Sequence, residues 1–249
     1  MNVLVTNDDG IDATGLHTLA STIAKYYDVT VVAPDREQSA TSHSLTMHRP
    51  LRIKKIKKNY HSIDGTPTDC VNLAVNSIMD DMPELIISGI NHGSNLGEDI
   101  MYSGTVSAAM EGALLSIPSI AISLTERKGT YFQVAADFAL LLMEEVIKRK
   151  LPSNTLLNVN VPNLPKELIT GVAITKQGKR TYTDIVHEKV DPRGENYYWI
   201  GGGSHTWHEK PGSDFEAVSQ NMISITPLHL DLTNYNAIDN IRGWELKFT

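Results

Sequence analysis

The first 33 residues constrain the fold more than any other stretch. Val3, Leu4 and Val5 make a short apolar run. Leu16, Leu19, Ala20, Ile23 and Tyr27 then recur at helical spacing between Thr14 and Tyr27, and Val29 to Ala33 is a second, wholly apolar run. Strand, helix and strand in so short a span form a βαβ unit, which requires a parallel sheet. Helices should then cover both faces of that sheet. Glu84 to Ser88, Pro118 to Leu124 and Leu156 to Val161 repeat the strand signal. Between them lie a helix from Pro67 to about Met79, a small-residue helix beginning near Ser103, and an amphipathic helix from Tyr131 to Arg149. The fold class implied is a three-layer α/β/α, Rossmann-like, mostly parallel sheet occupying residues 1–170.

Beyond about Ile169 the alternation breaks. Residues 171–249 read as a β-rich extension, with strands at Val172 to Thr175 and Tyr197 to Ile200 and a flexible joint at Gly201-Gly202-Gly203-Ser204. Asp214 to Gln220 reads as a short helix, and Met222 to Thr226 as a strand that returns to the main sheet and is ended by Pro227. A C-terminal arm through Tyr235 and Trp244 carries aromatics suited to docking on a partner subunit. Leu51 to Lys58 mixes apolar and basic residues without an aromatic, which suits a lysine-protected edge strand better than a nucleic-acid surface.

The chemistry concentrates where strands end. The first strand runs into Asn7-Asp8-Asp9-Gly10, two carboxylates at the carboxyl end of a strand, where open parallel sheets bind ligands. Hard divalent cations such as Mg²⁺ take one or two carboxylates and leave positions for water and phosphate oxygens. The second strand leads into a hydroxyl-rich loop containing Ser39 and His43. The stretch Ser88-Gly89-Ile90-Asn91-His92-Gly93-Ser94-Asn95 follows the third core strand and can bring amide oxygens to a cation. Ser103, Gly104 and Thr105 open a helix whose first N–H groups can hold an anion. Together these make Asp8, Asp9, Ser39 and Asn91 candidate ligands for Mg²⁺ or Mn²⁺ beside a phosphate site. The nucleophile stays open between an aspartate carboxylate and a water activated by Asp8 or Asp9; His43 and His92 are candidates for substrate contact or leaving-group protonation.

Other chemistries are disfavoured. No Gly-Lys-Ser/Thr phosphate loop, dinucleotide glycine triplet or Gly-x-Ser-x-Gly elbow is present. The single cysteine, Cys70, lies in an apolar helix and reads as a small hydrophobe. A net charge of -7 opposes general attraction to duplex nucleic acid, and no apolar run reaches the roughly 20 residues of a bilayer span. A cytoplasmic location is the expectation.

Five ordered motifs resemble the SurE family of stationary-phase survival proteins: Asn7-Asp8-Asp9-Gly10; Ala33-Pro34-Asp35-Arg36 with Ser39; Gly65-Thr66-Pro67-Thr68-Asp69-Cys70; Ser88-Gly89-Ile90-Asn91 with Gly93, Asn95 and Gly97; and Ser103-Gly104-Thr105-Val106 with Ala108-Ala109-Met110-Glu111-Gly112. The resemblance implies a metal-dependent nucleotidase acting on nucleoside 5'- and 3'-monophosphates, in some members also on short polyphosphate. It implies metal ligands at Asp8, Asp9, Ser39 and Asn91, and phosphate-side residues at Asn95 and Ser103 to Thr105. It also implies an arm exchanged between subunits of a homodimer or homotetramer. A nucleotide-binding regulatory module without turnover, and a phosphoenzyme hydrolase, are the competing readings.

Overall fold

Alternating side chains of the first strand, β1 (Asn2–Thr6), pack into two different apolar clusters. Val3 and Val5 pack with Leu16, Leu19 and Ile23 of α1 (Thr14–Ile23) and with Ala135, Ala139 and Met143 of α4 (Phe132–Arg149). Leu4 packs on the opposite face with Cys70 and Val71 of α2 (Pro67–Leu73) and Ala108 of α3 (Gly104–Leu114). A strand buried on both faces by period-two alternation is what a central layer between two helical layers requires. The structure, a computed structural model, describes residues 1–126, 128, 130–182, 186–200, 205–207 and 210–246.

The remaining core strands are β2 (Asp28–Pro34), β3 (Ile53–Lys57), β4 (Tyr60–Ile63), β5 (Leu85–His92), β6 (Ser119–Leu124) and β7 (Thr155–Val161). After them come β8 (Gly171–Ile174), β9 (Arg180–Tyr182), β10 (Val186–Val190), β11 (Asn196–Ile200), β12 (His205–Trp207), α5 (Asp214–Ser219), β13 (Met222–His229) and α6 (Tyr235–Arg242). The main sheet has nine strands in the order β3-β4-β2-β1-β5-β6-β7-β13-β8. From β4 to β7 every neighbour pairs in parallel; β3 and β13 join antiparallel to β4 and β7. Strand order therefore reverses between β1 and β5, and that junction is where such sheets open a crevice at their carboxyl ends.

Local chemistry explains the element boundaries. Thr66 and Asp69 form a reciprocal capping box, Asp69 N donating to Thr66 Oγ1 (3.1 Å) and Thr66 N to Asp69 Oδ2 (2.8 Å), with Pro67 at the first helical position. The basic β3 is an exposed edge strand. Its partner β4 has no counterpart in the sequence reading, because a four-residue Tyr-His-Ser-Ile run lacks a distinctive period. The helix expected to reach Met79 is α2 followed by a π-helical turn over Ala74–Ile78.

Pro227 does not end its strand: β13 continues to His229, with Pro227 opposite Leu157. It lies beyond the register shared with β8, which stops at Ile225, so β13 needs hydrogen bonds to one neighbour only there. Both β8 and β13 belong to the nine-stranded sheet, whereas β10 with β11 and β9 with β12 form separate two-stranded ribbons. The Gly201 to Ser204 joint lies outside the described residues. Among the described residues no helix is long and apolar enough to cross a membrane.

Candidate active site

The carboxyl ends of β1 and β5, side by side at the reversal point, deliver the acids and amides to one place. After Thr6 the chain turns sharply, closed by Asn7 Nδ2 donating to Gly10 O (2.9 Å). Gly10 adopts φ +99°, and a Cβ there would sit 3.1 Å from the Arg36 carbonyl carbon, so the turn requires glycine. Gln38 N donates to Asp8 O (2.8 Å) and Ile11 N to Pro34 O (2.8 Å), which fastens the loop after β2, bearing Ser39, beside the two aspartates.

Asp8 is buried and meets the start of α3. The Thr105 hydroxyl donates to Asp8 Oδ1, and the backbone N–H groups of Asp8 and Thr105 also favour its charge. Burial nevertheless dominates and, with repulsion from Asp9, raises the Asp8 pKa from 3.8 to about 6. Gly104 makes this approach possible, because a Cβ at that position would lie 2.7 Å from Asp8 Cβ. Ser103 caps α3, its Oγ accepting from Val106 N (3.1 Å).

Asp9 Oδ2 accepts from His92 N (3.2 Å) and lies 3.0 Å from His92 Nδ1. The His92 ring is fixed in turn by an edge contact with Phe132, with ring centroids 4.8 Å apart. Asn91 Nδ2 donates to Gly93 O (2.8 Å), leaving the amide oxygen as its acceptor end. Ser39 Oγ donates to Glu37 Oε1 at 2.5 Å.

These groups border a cleft of about 930 Å³ whose walls include Asp8, Asp9, Ser39, Asn91, Asn95 and Ser103. Thr105 stands behind Asp8. His43 is not among the described lining residues: its Nε2 lies 2.7 Å from Glu111 Oε2, and Glu111 also accepts from Asn72 Nδ2 (2.6 Å), so the ring is drawn toward α2 and α3. Cys70 is fully buried, and burial pushes its thiol well above the ordinary range, as suits a core residue.

The donor set fits a hard divalent cation. Two carboxylates, a hydroxyl and an amide oxygen are all oxygen donors. Asn7 Oδ1, in the same turn, is a buried acceptor without a hydrogen-bond partner. Among the described residues no group of three or more His, Cys, Asp or Glu is placed to hold a metal, so an ion here depends on the neutral oxygens as well as the aspartates.

Sequence reasoning missed part of the cleft wall, including Asp12, Asp99, Tyr102 and Arg180. It also missed the amides that anchor Asn95. Asn160 Oδ1 accepts from Asn95 N (2.8 Å), Asn158 and Asn160 Nδ2 both donate to Asn95 O (2.9 Å each), and Asn95 Nδ2 donates to Ser123 Oγ (2.8 Å). The available signal was two asparagines spaced i, i+2 in an apolar strand, hence on one buried face.

The chain was compared with known families, proteins and solved structures. The family model described as Survival protein SurE matches residues 3–184. The 5'-nucleotidase SurE of Geotalea daltonii is 53% identical over 247 residues, covering 99% of this chain and 100% of that protein. The 5'-nucleotidase SurE of Geobacter sulfurreducens is also 53% identical, covering 99% of this chain and 94% of that one. Among solved structures, the SurE protein from Aquifex aeolicus is 45% identical with a TM-score of 0.88, spanning 97% of this chain and 98% of that one.

Proposed function

Because the chain belongs to the SurE family, we propose that it is a divalent-metal-dependent 5'-nucleotidase, a phosphomonoesterase that releases phosphate from nucleoside 5'- and 3'-monophosphates and accepts short polyphosphate as well. The observation that carries this reading is the pair Asp8 and Asp9 at the β1/β5 reversal, one buried and both facing a wide polar cleft. Asp8, Asp9, Ser39 and Asn91 would hold Mg²⁺ or Mn²⁺, and the ion would supply stabilisation of charge on the phosphoryl oxygens.

The chain's own groups do the rest. Thr105 orients Asp8 through its hydroxyl, and His92 orients Asp9. Asp8 or Asp9 accepts the proton of the attacking water, each carboxylate being held in place by its neighbour. Asn95, Ser103 and the backbone at Gly104 border the phosphate, while His43 acts from behind the cleft by holding its loop against Glu111. The exposed Leu232, Tyr235, Trp244 and Leu246 of the C-terminal arm support self-association into dimers or tetramers. The cytoplasm is the proposed compartment.

The test is turnover of a panel of nucleoside monophosphates with and without added Mg²⁺ or Mn²⁺. Asp8→Asn and Asp9→Asn should each abolish turnover while leaving the melting transition in place. Wild-type rates in both variants would refute the assignment. Nucleotide affinity without turnover under any metal would favour a regulatory binding module instead.

A further inference from the structure

The cleft is acidic for a site that is to bind an anion. Asp8, Asp9, Asp12, Glu37 and Asp99 all line it, and among the described lining residues Arg180 is the sole guanidinium or ammonium. An ion held by Asp8 and Asp9 offsets charge at one end only. Arg180 belongs to β9, outside the nine-stranded sheet, yet it is firmly attached to the cleft rim. Its N–H donates to Glu98 Oε2 (2.8 Å) and its Nη1 to Asp99 Oδ2 (2.6 Å).

The residues around it are fastened to the same turn. Gln177 Nε2 donates to Gly97 O (2.9 Å), and the buried Asp214 accepts from Gly97 N (2.8 Å) and Gly178 N (2.9 Å). This 97–101 turn leads directly into Ser103 at the start of α3, with Tyr102 N donating to Asp99 O (3.0 Å). Arg180 is thereby held beside the stretch of chain that carries the phosphate-side residues. Fixing a long side chain in advance removes part of the entropy cost that binding would otherwise carry.

We propose that Arg180 is a substrate-binding residue, its guanidinium taking a phosphate oxygen of the nucleotide while Asp99 keeps it in position; this rests on the nucleotidase reading above. A guanidinium presents five donors in a planar fork, so it can hold a carboxylate and a phosphate oxygen together. The inference gives the β-rich extension a part in the site: it contributes the one guanidinium among the described lining residues.

The experiment measures kcat and KM for a nucleoside 5'-monophosphate, and the inhibition constant of inorganic phosphate, in wild type, Arg180→Gln, Arg180→Lys and Asp99→Asn. Arg180→Gln should raise KM and weaken phosphate inhibition together, by roughly tenfold to a hundredfold, the range for a hydrogen bond between charged groups, with kcat changed little. Arg180→Lys, which keeps the charge and loses the fork, should fall between, and it decides the matter should the glutamine variant not fold. Asp99→Asn, which loosens the guanidinium but leaves it in place, should raise KM by less than Arg180→Gln does. Unchanged KM and phosphate inhibition in the arginine variants would overturn the proposal, and so would an equal KM rise in Asp99→Asn, which would assign the effect to the ion pair. A wild-type protein that turns over no nucleotide refutes the nucleotidase reading instead. Calorimetric titration of inorganic phosphate into wild type and Arg180→Gln then still decides whether Arg180 binds the anion.

Discussion

Replacing Asn160 by alanine should destabilise the protein far more than the same change at Asn158, although both are fully buried asparagines on one face of β7. Asn160 makes two hydrogen bonds to the Asn95 backbone, accepting from its N–H and donating to its carbonyl. Its removal leaves the buried Asn95 N–H without an acceptor, at about 1–3 kcal/mol, and forfeits a second bond with a net value near 1 kcal/mol. The sum, roughly 2–4 kcal/mol, is a large part of the ~5–15 kcal/mol by which domains are usually stable. Asn158 donates once, to a carbonyl that keeps Asn160 as a donor, and its own Oδ1 is buried without a partner. Deleting it removes that unsatisfied oxygen along with the bond, so its cost should be about 1 kcal/mol or less. Urea unfolding of the two variants, compared at equal m-value, measures the difference. Because Asn95 lines the cleft, Asn160→Ala should also lower kcat/KM more than Asn158→Ala does. Equal destabilisation, or a larger loss in Asn158→Ala, would refute the accounting of satisfied and unsatisfied amides.

Two other outcomes follow from single contacts. The His43 ring beside Glu111 holds its carboxyl below the ordinary value of 4.5, against the opposing effect of burial. A depressed carboxylate stabilises the fold above about pH 4.5 and loses that contribution as pH falls through its lower folded value, so the stability gap between wild type and Glu111→Gln should shrink on acidification; a gap that widens would count against it. Gly104→Ala puts a methyl 2.7 Å from Asp8 Cβ, an overpacking cost of about 1–3 kcal/mol, offset by up to ~1 kcal/mol of helix propensity. Turnover should therefore fall more steeply than melting temperature, and wild-type kcat/KM in this variant would show that the Asp8 position is not critical.

Legibility followed the physical range of each signal. The βαβ opening and the amphipathic α4 were readable because hydrophobic period acts within a few residues. Asp8 and Asp9 stood out because two adjacent acids at the end of an apolar strand conflict with packing. The order of strands was not readable, since neighbours in the sheet are set by long-range pairing, and β5 beside β1 is what brings Asn91 and His92 to the aspartates. Arg180 and Asp214 were hidden for the same reason: their partners at Gly97 to Asp99 lie about eighty residues or more away. His43 shows the reverse error. Its place in a strand-end loop pointed to the cleft, but the buried Glu111 of α3, itself held by Asn72 of α2, pairs with its ring instead.

The start of α3 meets both Asp8 and the cleft. Sequence alone presents it as a site for a phosphate, yet in the folded chain the Thr105 hydroxyl and backbone N–H serve Asp8. A helix end carries only about half a unit of positive charge, so it does not by itself satisfy both a resident carboxylate and an incoming dianion. Bringing a phosphate to this end therefore requires positive charge from elsewhere. On the proposed reading a cation held by the oxygen donors around Asp8 and Asp9 is one source, and Arg180, which hydrogen bonds fasten to the turn that leads into the helix, is the other. The extension is joined to the core by the Arg180–Asp99 ion pair as well as by the shared sheet, and it brings a guanidinium to a cleft lined by five acids.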